Sequence, residues 1–356
     1  MKPGLTIPDG NFLCFQLKHI GDFLHTLPAL GFLRASRPNA KTEVVVTPKI
    51  AELAKNHPWI DRVHILDRNQ GLSGLRAFAR QINSPEYGAA FIFDGQTRSI
   101  MAATLSGVKC RIGSVGLYSL GNYAWLYSND INITDNHYPL ESQAYRGQKM
   151  AALAFGLKPG PPLRPPLPNL PPKALATATT LMAELKGSGP AIGLTLSGLQ
   201  HEKSWPLAHF VRLCRLLYEK FEARLFVTGG PAESHMAQRL SETAEIPVAN
   251  FCGRTSLLDM VALAGFSDLF ITVDTGAAHL AALTETPVIS IYQWTSPALW
   301  PPQSPNTRLM CYNWALSRFG LPPDGGPWTA APVITPDIIF QAAAAFLSGQ
   351  VTKAEK

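Results

Sequence analysis

A run of prolines near the middle of the chain does most to limit what it can fold into. Residues 159–172 read Pro-Gly-Pro-Pro-Leu-Arg-Pro-Pro-Leu-Pro-Asn-Leu-Pro-Pro. Proline lacks the N–H that a ladder needs and holds φ near −65°, so neither a central strand nor a helix interior can run through this stretch. It reads as a spacer between two bodies that can move against each other. The chain has 356 residues, and a single core stops growing efficiently near about 250–300 residues. Two domains are therefore expected, 1–165 and 173–332, followed by a closing segment, 333–356.

Each half alternates the two hydrophobic periods. The first half predicts strands over 11–16, 42–47, 63–66 and 89–93, and helices over 22–37 and 97–105. Phe23, Leu27, Leu30 and Leu33 share one face of the first helix. The second half predicts strands over 191–196, 224–228, 269–273 and 287–291, with helices over 207–218, 256–266, 276–283 and 335–347. Alternation of this kind gives the α/β class, with doubly wound parallel sheets covered by helices on both faces. Ligands of such sheets sit beyond the carboxyl ends of the strands, so the search for function belongs there.

Composition narrows the class further. Apolar residues make up 46% and charged residues 16%, too apolar for a disordered chain. The five cysteines are scattered and form no CxxC pair, so neither a disulfide framework nor a structural zinc site is expected, and a reducing cytoplasm fits. The first ten residues hold no apolar signal core, and no run of about 18 uncharged apolar residues appears, so neither a leader nor a spanning helix is expected. Charge is uneven. Residues 1–170 hold 18 basic and 11 acidic side chains, while residues 171–356 hold 13 and 14. The basic half points to a polyanionic partner (nucleic acid, an anionic membrane face or an acidic acceptor) or to an ordinary solvated surface. No interleaved basic–aromatic array accompanies it, so nucleic acid is not expected.

Five strand ends carry candidate chemistry. Ile20-Gly21-Asp22 follows the first strand. Asp22 either caps the helix or serves as general base to an acceptor hydroxyl, and His25 lies one turn on. Asp274-Thr275-Gly276 follows an apolar strand and opens a helix, where unpaired N–H groups suit phosphate; His279 follows one turn later. The alternative is a plain cap with a buried histidine. Thr195 and Ser197 precede Lys203-Ser204-Trp205-Pro206, and hydroxyls with one ammonium suit a diphosphate. Glu233, after Gly229-Gly230, either meets a ribose or base or merely sits in a first helical turn. In the basic half, Lys18, Arg98 and Arg111 could pair with acceptor carboxylates or phosphates, or be surface charges. The sequence contains no GxxxxGK[ST], no GxGxxG after the first strand, no HExxH and no DxD pair. A P-loop enzyme and a dinucleotide oxidoreductase are disfavoured. With neither metal nor cofactor expected, leaving-group charge must be met by helix dipoles, hydroxyls and lysine.

In order along the chain, Ile20-Gly21-Asp22 with His25-Thr26-Leu27-Pro28-Ala29-Leu30, Lys203-Ser204-Trp205-Pro206, Gly253-Arg254-Thr255-Ser256-Leu257, Asp274-Thr275-Gly276 with His279-Leu280-Ala281-Ala282, and Thr286-Pro287-Val288 leading to Thr295-Ser296-Pro297 resemble the bacterial lipopolysaccharide heptosyltransferases, the family-nine glycosyltransferases. The resemblance implies a GT-B fold, two Rossmann-like domains facing across a cleft, with the C-terminal helix packing back toward the first. It implies an ADP-heptose donor in the second domain and, in the first, an inner-core lipopolysaccharide acceptor, reached at the cytoplasmic surface of the inner membrane. By motif, Asp22 corresponds to the catalytic base, Lys203, Asp274, Thr275, Gly276 and His279 to diphosphate contacts, and Glu233 to the nucleoside contact. The sequence departs from the family at Gln16-Leu17-Lys18-His19 and at Tyr292-Gln293-Trp294, the latter replacing a Phe-Gly-type turn. A related transferase with another nucleotide sugar or glycan, or a non-catalytic binding protein of the same fold, are the competing expectations.

Overall fold

The computed structural model describes residues 6–114, 125–131, 133, 141–197, 204–322 and 326–349. It divides into two compact units, Met1–Asn169 and Leu170–Lys356.

The first unit runs β1 (Asn11–Gln16), α1 (Ile20–Ser36), β2 (Thr42–Val46), α2 (Pro48–Lys55), β3 (Arg62–Ile65), α3 (Leu72–Gln81), β4 (Tyr87–Ile92), α4 (Thr97–Leu105), β5 (Arg111–Gly113), β6 (Asn129–Asp130) and α5 (Gln143–Ala154). Its strands form one six-stranded sheet in the order β3-β2-β1-β4-β5-β6, and its pairings are parallel. A continuous apolar run such as Phe12–Phe15 is what a strand buried on both faces needs. Leu13 and Phe15 pack with Leu75 and Phe78 of α3 and Ile100 of α4. Phe12 meets Phe155, just past α5, edge-on at 6.0 Å between ring centroids. Helices thus cover both faces.

The second unit runs α6 (Pro172–Ala183), β7 (Ala191–Thr195), α7 (Leu207–Phe221), β8 (Arg224–Val227), α8 (Ser234–Ala244), β9 (Val248–Asn250), α9 (Leu257–Gly265), β10 (Leu269–Val273), α10 (Gly276–Ala281), β11 (Val288–Tyr292), β12 (Thr307–Tyr312), α11 (Asn313–Arg318), β13 (Trp328–Ala331) and α12 (Pro336–Leu347). Its sheet has the order β13-β12-β11-β10-β7-β8-β9, again with parallel pairings. Helix α12 packs on α7, β10 and β11 of its own unit, with Ile339 and Ala343 buried in the core beside Leu213 and Leu217.

Both sheets have the same winding. Each starts at a central strand, moves outward one way for two strands, then crosses back to the other side. The first strand and the fourth are neighbours, and there the winding reverses: β1 beside β4, and β7 beside β10. Helices leaving these two strands go to opposite sides, and a crevice opens between them.

The proline-rich stretch is not a loose spacer. Gln148 of α5 is buried and directs Nε2 to the carbonyls of Gly160 at 3.2 Å and Pro161 at 2.8 Å. Its Oε1 accepts the Leu163 N–H at 2.9 Å. The Asn169 N–H donates to the Asn56 carbonyl at 2.7 Å. The segment is therefore fastened to the first unit. Gln148→Leu removes three hydrogen bonds at once and is expected to weaken this attachment by about 1–3 kcal/mol. Amide exchange at Leu163 then accelerates by about ten-fold or more; unchanged protection there would contradict the role given to Gln148.

Candidate functional site

At the first reversal point, β1 ends at Gln16 and the chain turns through Leu17, Lys18 and His19 into α1. Asp22 is the third helical residue, and its Oδ2 accepts the His19 N–H at 3.3 Å. The carboxylate thus does cap the helix, as the simplest sequence argument holds. Burial pushes the Asp22 carboxyl above its ordinary range, against the pull of the Lys18 ammonium and the His19 N–H. Burial likewise lowers Lys18, against the opposing influence of Asp22 and Asp94. The turn is braced from below. Gln16 Nε2 donates to the Thr26 hydroxyl at 2.9 Å, and that hydroxyl donates to the Asp22 carbonyl at 2.9 Å.

Asp94, just beyond β4, completes this corner; in the sequence it only heads the strand-end segment Asp94-Gly95-Gln96-Thr97-Arg98, with no role of its own. It is 1% exposed and accepts from the Leu17 N–H at 2.7 Å, the Ser99 hydroxyl at 2.6 Å and the Gln96 N–H at 2.9 Å. Gly95, at φ +60°, supplies the left-handed step that lets the following N–H fold back onto the carboxylate. Burial raises the Asp94 carboxyl, opposed by these donors and by Lys18. The one available sequence signal was position: an aspartate at the end of the strand beside β1.

The other basic candidates separate. Arg98, in the first turn of α4, has Nη1 buried with no hydrogen-bond partner among the described residues. A guanidinium in that state suits an anion. Arg111 does not. Its Nε donates to the Leu126 carbonyl at 2.6 Å, and Nη1 donates to the carbonyls of Val108 at 2.8 Å and Lys109 at 3.1 Å. Its guanidinium ties β5 to neighbouring backbone. His25 is 2% exposed within α1.

At the second reversal point, β7 ends at Thr195 and β10 ends at Val273. The Thr195 hydroxyl is buried with no hydrogen-bond partner among the described residues, a condition that costs free energy unless something else occupies the site. Ser197 lies two residues on, partly exposed. Asp274 is 5% exposed. Its Oδ2 accepts a hydrogen bond from the Thr295 hydroxyl, and its N–H pairs with the Ile291 carbonyl at 3.0 Å. Thr275 is the N-cap of α10 and accepts the Ala277 N–H at 3.3 Å. Ala278 donates to the Thr275 carbonyl at 3.1 Å. Gly276 follows with no side chain to block approach. His279 is buried in the same short helix.

Glu233 closes a 3-10 turn, Pro231–Glu233, after β8. Its carboxylate folds over the glycine pair: a Cβ at Gly230 would lie 3.1 Å from Oε2. Thr228, at the end of β8, places its hydroxyl 3.5 Å from that of Thr255. Lys203 lies outside the described residues. The loop that holds it returns at Trp205, whose buried indole donates to the Ile334 carbonyl at 2.9 Å and packs edge-on against Phe210 at 4.9 Å. Pro206, expected as the first helical residue, is instead the N-cap of α7.

Among the described residues, no three His, Cys, Asp or Glu side chains are grouped to hold a metal ion, and no helix is long and apolar enough to cross a membrane.

The sequence profile of glycosyltransferase family 9 (heptosyltransferase) matches residues 75–319. Lipooligosaccharide heptosyltransferase 2 of Haemophilus influenzae is 24% identical over 315 residues, covering 84% of this chain and 88% of its own length. Among solved structures, a family 9 glycosyl transferase from Veillonella parvula superposes with a TM-score of 0.82 at 18% identity, covering 97% of this chain and 99% of its own. The E. coli ADP-heptose lipopolysaccharide heptosyltransferase II gives 0.75 at 18% identity, covering 96% and 99%. At such identities the structural likeness carries the fold, and it spans both units, as a GT-B architecture requires.

Proposed function

Since the chain belongs to glycosyltransferase family 9, the heptosyltransferases, we propose that this enzyme moves a heptose from ADP-heptose to the inner core of lipopolysaccharide, inverting the anomeric carbon. The single observation that carries the reading is what stands at the two reversal points. One has a half-buried carboxylate beside a lysine. The other has a buried hydroxyl without a partner among the described residues, next to a small-residue turn whose aspartate is anchored. The first set suits proton removal, and the second suits a diphosphate.

In the proposed step, an acceptor hydroxyl gives its proton to Asp22 while its oxygen bonds to the sugar's anomeric carbon. The bond from that carbon to the diphosphate oxygen breaks, and ADP departs with the electron pair. Lys203, the Thr195 and Ser197 hydroxyls and the backbone at Thr275–Gly276 meet the charge that develops on the diphosphate. Asp274 and His279 hold that turn, and Glu233 meets the nucleoside. Lys18 and Arg98 face the anionic acceptor, while His25 is buried within α1. The basic first half binds peripherally to the anionic cytoplasmic surface of the inner membrane, where the acceptor is anchored.

Thermal unfolding with ADP, UDP and GDP in turn tests the nucleotide. A ligand at about 100 times its Kd adds about 2.7 kcal/mol to the folded state, so ADP alone is expected to raise the Tm, with or without a chelator. Thr195→Val, which replaces a hydroxyl lacking a described partner by a methyl, leaves the unliganded Tm unchanged or higher and reduces the ADP-induced shift. A shift with UDP or GDP in place of ADP, or strict dependence of turnover on magnesium or manganese, sinks the proposal.

A further inference from the structure

The loop after β11 carries the departure from the family's usual turn, and the structure gives it company. Trp294 packs edge-on against Trp314 of α11, with ring centroids 4.9 Å apart and planes at 79°. Tyr312, at the end of β12, stands 6.2 Å from Trp314. The Arg318 guanidinium lies over Trp294, 4.4 Å from its ring centroid. Trp314 is 41% exposed. These groups gather beyond the carboxyl ends of β11 and β12, the strands next in order to β10. The loop is held in register with the Asp274 turn, because the residue after Trp294 is Thr295, whose hydroxyl donates to Asp274.

We propose that Trp294, Trp314 and Arg318 form a subsite that stacks a pyranose ring and pairs with a negatively charged group, phosphate or carboxylate, on the same sugar. The inference rests on the glycosyltransferase reading above. A large aromatic surface left open beside a strand-end turn suits the apolar C–H face of a sugar ring, whereas water gains nothing from it. Arg318 makes no hydrogen bond or ion pair among the described residues. Held by its π-face over an indole, a guanidinium keeps its in-plane N–H fork for an anion. Asn313, between Tyr312 and Trp314, has Oδ1 buried with no hydrogen-bond partner among the described residues, a ready acceptor for a sugar hydroxyl. Aromatic face, cation and carbonyl together describe an anionic pyranoside. Either the donor sugar beside its diphosphate or an acid sugar of the acceptor has that chemistry.

The test is calorimetric titration of the full chain and of Trp314→Ala, Trp314→Phe, Arg318→Gln and Arg318→Lys with three probes: ADP, ADP-heptose, and an inner-core oligosaccharide ending in an acid sugar. Far-UV circular dichroism and Tm verify folding. Loss of stacking is expected to weaken a sugar-bearing probe by about five-fold, with ADP unchanged. Trp314→Phe restores most of the loss, and Arg318→Lys restores less, since the planar fork is gone. A loss confined to ADP-heptose assigns the ring to the donor, and one confined to the oligosaccharide assigns it to the acceptor. All probes binding the variants as they bind the wild type overturns the subsite alone. In the Trp314 variants, ADP weakening as much as ADP-heptose also overturns it, because the aromatic face then serves the nucleotide. A wild-type chain that binds none of the three overturns the function proposed above and this subsite with it.

Discussion

Asp22→Asn is expected to lower turnover by about 100- to 10,000-fold, the usual contribution of a general base, while ADP binds as before. The variant keeps the shape of the side chain and an oxygen that can still accept the His19 N–H, so the start of α1 survives. What it loses is the ability to take a proton. The same assignment fixes a pH dependence. The base works only as carboxylate, and burial raises its pKa above the ordinary 3.8. The acid limb of kcat/KM should therefore lie above the range of an exposed aspartate, with activity rising as pH rises through it. Lys18 holds that pKa down, so Lys18→Met should move the limb to still higher pH. Single-turnover assays across pH with purified acceptor provide the measurement. Turnover of Asp22→Asn close to wild type, or an acid limb that ignores Lys18→Met, removes Asp22 from the role of base.

Glu43→Ala should strongly destabilise the first unit. Glu43 is fully buried on β2, where Oε2 receives the Tyr87 hydroxyl at 2.7 Å and meets His64 Nε2 at 2.7 Å. Arg62 stands 3.9 Å from the other oxygen. Removing the carboxylate leaves the Tyr87 hydroxyl and the His64 ring without their acceptor, at about 1–3 kcal/mol for each stranded group. Burial alone would raise the Glu43 pKa; the bonds from His64 and Tyr87 and the charge of Arg62 outweigh it, so the folded value lies below 4.5. A depressed carboxylate stabilises the fold above its unfolded pKa, and that contribution disappears as pH falls through the folded value. Urea unfolding at neutral pH should show the deficit, and wild type and Glu43→Ala should converge under acid. Equal midpoints at neutral pH would show that the cluster contributes nothing. The cluster sits near the amino ends of the strands, remote from Asp22, so residual Glu43→Ala activity below its melting point should be near normal.

Much of this molecule could be anticipated from the order of its residues, and the failures have physical causes. The strands over 11–16 and 269–273 are continuous apolar runs between turn signals, and they stand where the sequence places them. The same holds for the helix over 97–105. Helix α6 was missed because its threonines favour strands and blur the helical period. In the folded chain Thr177, Thr179 and Thr180 each return their hydroxyl to the carbonyl four residues back, a helix-compatible use that propensity does not reveal. Strands β12 and β13 were missed because they lie at one side of the sheet and mix polar residues with apolar ones. At the site, residues next to glycine turns were legible, since the turn announces itself. Asp94 was not, because its importance comes from β4 lying beside β1, a long-range pairing that local pattern does not encode. Arg111 misled for the opposite reason: its charge is visible in the sequence, but the carbonyls that occupy it are not.

The attachment of residues 160–169 to the first unit bears on how the chain is made. The described pairings of the first sheet all join strands encoded before residue 131, and the bond from Asn169 to Asn56 is the last stitch. On the ribosome the leading body thus has its described partners once Asn169 leaves the exit tunnel. At about 5–20 residues per second, synthesis of the trailing body takes on the order of ten to forty seconds more. The leading body can bury its core while its twin is still incomplete, since β7, starting at Ala191, is the first strand of the twin to emerge and the rest of that sheet follows later.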